Sequence, residues 1–180
     1  MSGGIESAFR PVFAALPMAS SMGRLLVRGP GAEPAGLAAA VEAAGRAAGS
    51  RAIAGRPDLL AALWLYVDEI DRAHAVCGDL GTPTGSYWHA IVHRREGDFD
   101  NSKYWYRKAG NHPAMRRIDL TGGGAGSGTE VAKYDAFAFV DQVRDSVGHE
   151  GLDGEHPELV SIQHKEWRSL FEWCAEQEAG

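Results

Sequence analysis

The segment Thr82–Pro113 reads TPTGSYWHAIVHRREGDFDNSKYWYRKAGNHP and carries the clearest information about the fold. Two stretches of helix-forming residues are separated by Gly97, and a turn-forming sequence lies at either end. Small polar residues stand where a helix would begin, as is typical of N-caps. The segment therefore predicts two helices, one over about 87–96 capped by Ser86 and one ending near Gly110 capped by Asp98 or Asp100.

The sequence on either side of this segment predicts further helices. The strongest runs from Pro57 to about Cys77, where apolar residues recur every three or four positions. No segment shows sustained alternation of apolar and polar residues, so no sheet is expected. Weaker helical patterns cover 5–16, 34–48, 135–147 and 157–177. We therefore predict an all-α bundle of about five to seven helices, forming a single helical domain over 1–180 with an irregular N-terminal segment at 1–33, a functional core at 57–113 and a flexible loop near 119–130.

Composition and charge exclude several classes of protein. The net charge of −6 argues against nucleic-acid binding. No run approaches the ~18 apolar residues that a membrane span needs, so we expect a cytoplasmic protein. Cys77 and Cys174 lie in helical apolar patterns and are expected to be buried free thiols. Nothing in the sequence excludes a homo-oligomer.

The charge is unevenly distributed along the chain. From His89 to Arg117 there are seven Lys and Arg residues against three acidic residues, a balance of +4 that leaves −10 for the remainder. A basic region in an acidic protein suits a small anionic ligand or an acidic partner. The same pattern is also typical of a solvated helix face with internal ion pairs.

Histidines at helical spacing suggest a metal site. His89 and His93 are four residues apart, so their rings would share one face of a helix, as in other helical sites with this spacing. His74 lies in the apolar stripe of the preceding helix and is the best candidate for a third ligand. Three nitrogen ligands would hold a divalent metal, zinc being the first candidate, and leave a position for water.

Other interpretations of these histidines remain open. The apolar residues of the 87–96 helix are centred at about 170° on a helical wheel, and the face that carries His89 and His93 is centred at about 310°. A histidine pair that only borders a core is often a hydrogen-bonded surface pair. His74 alone fits a core histidine that is bonded to a neighbour.

Three further residues are candidates for acid–base chemistry. Glu96 follows His93 by three residues and shares its helix face, and Asp71 precedes His74 by the same spacing. Each carboxylate could act as a general base or orient a ligating imidazole. His112, in a turn before a proline, could reach the site as an acid or a base.

A second group of residues is a candidate for binding the substrate. If Ser86 starts a helix, the free N–H groups there favour an anion, and Thr84 could contact the same phosphate or carboxylate. Arg94 and Arg95 could hold it by charge, although both could also pair with nearby acidic residues. Trp88 could stack on a ligand, as could the aromatic residues 104–106, but aromatic residues at this spacing are more typical of a core.

The glycine-rich run at 122–128 lacks the lysine and the sheet context of a phosphate-binding loop, so a flexible linker is favoured.

The phrase TGSYWHAIVHRREGDFDNSKYWYRKAGNHP resembles a signature of a family of bacterial and fungal proteins without an assigned activity. Similar chains share LWLYVDEIDRAH before it and EWRSLFEWC near the end. The resemblance covers 57–113 strongly and 134–175 loosely, and it implies no mechanism.

Two hypotheses follow from the sequence. In the first, the chain is a metal-dependent enzyme, a hydrolase of a small anionic substrate, with the metal on the three histidines. In the second, it is a non-catalytic helical module that binds a small anion or a protein through the basic, aromatic surface of 87–117.

Overall fold

The computed structural model describes residues 3–27, 36–46, 55–120, 133–150 and 156–177, and within them the chain is all-α, as predicted. Two short 3₁₀ helices and a single bridge between Asp119 and Lys133 complete the regular structure of these residues. None of the described helices is long and apolar enough to cross a membrane. The α-helices are α1 (Gly3–Ala15), α2 (Leu37–Arg46), α3 (Pro57–Tyr66), α4 (Ile70–Gly78), α5 (Pro83–Glu96), α6 (Phe99–Ala109), α7 (Ala136–Glu150) and α8 (Pro157–Glu176).

The single helix predicted from Pro57 to Cys77 is wrong, because the chain breaks into α3 and α4. Asp68 takes a left-handed conformation, with φ of 62°. Its carboxylate accepts a hydrogen bond from Nη2 of Arg95 at 2.6 Å, and Nη1 of the same residue donates to the Leu65 carbonyl at 3.0 Å. The Leu65 carbonyl also accepts from the Asp68 N–H at 3.2 Å, so the arginine adds a second donor at the end of α3. Because of this break, the described residues form eight α-helices, more than the five to seven predicted.

The start of α5 also differs from the prediction. Thr82, not Ser86, is the N-cap, and its hydroxyl accepts a hydrogen bond from the Gly85 backbone N–H at 3.0 Å. Pro83 occupies the first turn, where its missing N–H costs nothing. A Cβ at position 85 would lie 2.2 Å from Cβ of Leu80, so glycine is required for this close approach.

The remaining helices agree well with the sequence patterns. Asp98 caps α6 as expected, with its carboxylate accepting from the Asn101 N–H at 3.2 Å, and α6 ends at Gly110. Pro157 begins α8, and both cysteines are buried free thiols. The predicted loop near 119–130 lies almost wholly outside the described residues.

Helix α5 lies at the centre of the packing, and this was not expected. It packs against α3, α4 and α6, and every residue from Gly85 to Arg95 is buried. The helical-wheel analysis predicted one apolar and one polar face. The polar face is buried as well, because His89 and His93 pack against His74 of α4 and His89 stacks on Trp105 of α6.

A buried ionic network holds α5 to the other helices. Nη2 of Arg94 donates to Oε2 of Glu166 on α8 at 2.6 Å, and both side chains are fully buried. Nη1 of Arg94 donates to the Tyr106 phenol at 2.7 Å, and that phenol donates to Oε1 of Glu166 at 2.5 Å. The Tyr134 phenol donates to the same carboxylate oxygen. Burial alone would lower the pKa of Arg94, but the facing carboxylate outweighs burial and raises it.

Replacing Glu166 with Gln is expected to destabilise the fold by about 3–5 kcal/mol, because it leaves the Arg94 guanidinium buried without a counter-charge. The matched control is Glu176→Gln, the same substitution on the same helix. Glu176 pairs with Arg117 at the surface, where an ion pair contributes little. Urea unfolding of the two variants measures the difference, and equal midpoints would contradict the role assigned to the buried network.

Candidate functional site

Three histidines from two helices form a cluster. His89 and His93 lie one turn apart on α5, and His74 faces them from α4. The His74 ring centre is 4.7 Å from that of His89 and 4.8 Å from that of His93, and the last two are also 4.8 Å apart. One ligand nitrogen from each residue can be chosen so that all three lie within 4.8 Å of one another. The juxtaposition predicted from the sequence is therefore present.

These distances are slightly larger than those of a loaded metal site. Zinc–nitrogen bonds of about 2.1 Å allow two ligands of one ion to lie at most about 4.2 Å apart. Binding one ion through all three rings would therefore require the imidazoles to move closer together. His74 is the ring with the most room to move, because its side chain is 37% exposed, whereas that of His93 is 9% exposed.

Glu96, at the end of α5, connects two of the histidines. Its Oε1 lies 2.8 Å from Nδ1 of His74 in a hydrogen bond, and its Oε2 lies 3.0 Å from Nδ1 of His93. The second contact has ion-pair distance but an angle outside that of a hydrogen bond. Burial alone would raise the pKa of Glu96, but the two histidines more than offset this and lower it. The carboxylate is thus ionised and occupies the Nδ1 side of both rings.

His89 is the least satisfied member of the cluster. Only 5% of the residue is exposed, and neither ring nitrogen has a hydrogen-bond partner among the described residues. The ring stacks on Trp105 of α6, with centres 4.0 Å apart. Burial, followed by the neighbouring histidines, lowers the pKa of His89 to about 4. The imidazole is therefore neutral at physiological pH, which is the form that offers a lone pair to a metal.

The predicted arginine and tryptophan substrate contacts do not fit the structure. Arg94 and Arg95 are fully buried, and each is paired with a carboxylate, Glu166 for the first and Asp68 for the second. Trp88 is also fully buried, against Trp167 of α8. These three side chains stabilise the packing of α5 and present no surface to a ligand.

The predicted anion site at Ser86 is likewise corrected. Ser86 is buried inside α5, so the free N–H groups of the helix start are not at this residue. The Thr84 hydroxyl is already engaged with Nε2 of His112 at 3.1 Å. The prediction failed because the sequence offers Thr82 as an N-cap candidate as good as Ser86. Thr82 also directly precedes Pro83, which suits the first turn of a helix.

The two remaining acid–base candidates lie apart from the cluster. Asp71 is exposed, and it is not part of the group of ligands that the histidines form. His112 contacts Thr84, which precedes His89 by five residues, or about 7.5 Å along α5, and it is not part of the histidine group. It lies between the rings of Tyr87 and Trp173. Of the predicted catalytic residues, only Glu96 is brought to the histidines.

One cation beside the cluster was not singled out by the sequence. Nζ of Lys108 lies 4.5 Å from the centre of the Trp105 ring, the same ring that stacks on His89. The spacing of three residues between Trp105 and Lys108 on α6 already indicated that they are neighbours. Nothing in the sequence indicated that α6 turns this pair towards the histidines.

The fold and cluster together define an all-α protein with a three-histidine, one-carboxylate centre. Comparison of the chain with models of protein families, with curated proteins and with solved structures finds no match. The resemblance to the bacterial and fungal signature therefore stays a prediction, and any function has to be inferred from the site itself.

His112 provides a prediction about pH. Its Nδ1 accepts a hydrogen bond from the Ala114 N–H, so the ring proton resides on Nε2 and donates to Thr84. Burial lowers the pKa of His112 from 6.5 to about 4. Between these values the unfolded chain binds a proton that the folded chain does not, so stability is lost as the pH falls from about 6.5 to about 4.

The variant His112→Asn keeps an acceptor for Ala114 and removes this titration. Its unfolding free energy should fall less between pH 7 and pH 5 than that of the wild type, by about 2 kcal/mol. Urea unfolding in the presence of a chelator measures the two slopes. Parallel pH profiles would show that His112 does not resist protonation in the folded protein.

Proposed function

We propose that His74, His89 and His93 bind one divalent cation, with zinc as the preferred ion, and that the chain is a metal-dependent hydrolase of a small anionic substrate. The observation that carries the proposal is the state of His89. A buried imidazole with two unpartnered nitrogens is costly, and such a group calls for a missing ligand or ion. A metal bound at one nitrogen would remove part of that cost.

The position of Glu96 supports the same proposal. Ligating histidines usually contact a carboxylate through the nitrogen that does not bind the metal, which fixes the orientation of the ring. Glu96 approaches Nδ1 of both His74 and His93, so Nε2 of each ring is the nitrogen left for an ion. The carboxylate thus acts as an orienting group in this proposal, and its negative charge also favours a cation.

The donor set suits hydrolysis. Three neutral nitrogen ligands match a catalytic zinc site, in which a water occupies the fourth position and its pKa falls to about 7. His89 and His93 would anchor the ion at the buried side, and the partly exposed His74 marks the side from which solvent reaches it. Asp71 and His112 have no part in this scheme.

The alternative, a non-catalytic module that binds through the basic surface of 87–117, has less support. Two of its arginines, Arg94 and Arg95, are buried, while Lys103 pairs with Asp141 and Arg117 with Glu176. Four of the seven basic residues of this region are therefore compensated by a carboxylate. The alternative gains support if the purified protein proves unable to bind a metal.

Metal binding can be tested with His89→Leu, a replacement of similar size. The metal-free variant should be at least as stable as the metal-free wild type, because two unpartnered buried nitrogens are removed. Zinc should raise the melting temperature of the wild type and leave that of the variant unchanged. Thermal unfolding with and without zinc, combined with elemental analysis, measures both effects.

The matched control is His164→Gln, which changes a histidine that contacts the Ser21 carbonyl outside the cluster. This control should respond to zinc like the wild type. A wild type that gains no stability from zinc, or a His89→Leu variant that gains as much, would contradict the metal site.

Catalysis needs a separate test. Zinc-loaded wild type should hydrolyse at least one member of a panel of chromogenic phosphate and carboxylate esters, lose this activity on chelation and regain it with zinc. The variant His93→Ala should lose at least ~100-fold in rate, because one ligand of the ion that activates water is gone. A protein that binds zinc but is inactive across the panel would indicate a structural metal centre.

A further inference from the structure

The surroundings of His89 contain a cation, Lys108, that has no acidic partner among the residues that the structure describes. Lys108 is exposed, and its Nζ lies 4.5 Å from the centre of the Trp105 ring and 4.9 Å from that of Tyr104. Trp105 in turn stacks on His89 at 4.0 Å. Because His89 occupies one face of the indole, the ammonium lies over the other face, within about 8.5 Å of the His89 ring centre.

Lys108 has no ion pair among the described residues, although Lys103 of the same helix has one. Lys103, on the same helix, is held by both oxygens of Asp141 at 2.7 Å. A cation that rests on aromatic rings keeps its N–H donors available, because the attraction comes from the ring face and uses no acceptor. Lys108 is thus positioned near the cluster with donors free to bind an anion.

The electrostatic environment of the cluster identifies the same residue. Apart from the other histidines, the charged groups that act on His89 are Glu96, which faces the Nδ1 side of its neighbours, and Lys108. The first is already engaged with His74 and His93. The positive side of the cluster is therefore formed by Lys108, in place of the buried Arg94 and Arg95.

We infer that Lys108, supported by Trp105, binds the anionic group of the substrate beside the histidine cluster. The inference rests on the proposed metal site and specifies its substrate class as phosphate monoesters or carboxylates, anions that an exposed ammonium binds through charge-assisted hydrogen bonds. Trp105 and the exposed Tyr104 would contact the apolar part of such a substrate. The four-carbon stem of lysine lets the ammonium follow the anion as it binds.

The test uses zinc-loaded protein and two probes, inorganic phosphate and acetate, titrated by calorimetry. The variant Lys108→Met keeps an aliphatic stem against the rings. Of the two probes, the one that the wild type binds more tightly should bind to this variant about tenfold more weakly. The zinc content should stay the same. Lys108→Arg should restore most of the affinity, and the stronger-binding probe identifies the anion class.

The matched control is Lys103→Met, which removes the same charge from the same helix away from the cluster. It should bind both probes as the wild type does. Unchanged affinity of Lys108→Met for both probes would overturn the inference while leaving the metal site intact. A loss of equal size in Lys103→Met would also overturn it, because it would show a general effect of charge. Failure of the wild type to bind zinc would instead overturn the proposed function, and this inference with it.

Discussion

The pairing of two buried arginines on α5 with carboxylates from other parts of the chain is the interaction on which the rest of the structure depends. Arg94 contacts Glu166 on α8, and Arg95 contacts Asp68 in the break between α3 and α4. An unpaired guanidinium in a core is costly, so these pairs favour one rotation of α5 about its axis. That rotation directs His89 and His93 towards His74 on α4.

The same helix therefore serves two purposes that are normally separate. Its arginines and Trp88 hold the bundle together, and its histidines with Glu96 form a polar cluster at its C-terminal half. A rigid, fully buried element is a good support for a site, because its side chains have few alternative rotamers. The His89 ring, both of whose nitrogens lack a hydrogen-bond partner among the described residues, is then a point at which the fold accepts an energetic cost.

The sequence predicted the fold class, most helix bounds and the convergence of the three histidines, because these depend on local spacing and on caps such as Asp98. It failed where tertiary partners override local patterns. Asp68 breaks an apparently continuous helix because Arg95 binds it, and α5 is buried on all sides because its charged residues find partners far along the chain. Arg94 could not be recognised as structural without its partner Glu166, 72 residues away.

The most direct test of the account is the zinc-edge X-ray absorption spectrum of the protein loaded with one equivalent of zinc. The account predicts three imidazole nitrogens at about 2.0–2.1 Å and one further light ligand. We also expect this three-imidazole signal to be lost in His89→Leu, which should not retain zinc at the cluster. A spectrum dominated by sulfur or by oxygen ligands alone, or one that the His89 substitution leaves unchanged, would contradict the assignment of this cluster as a metal centre.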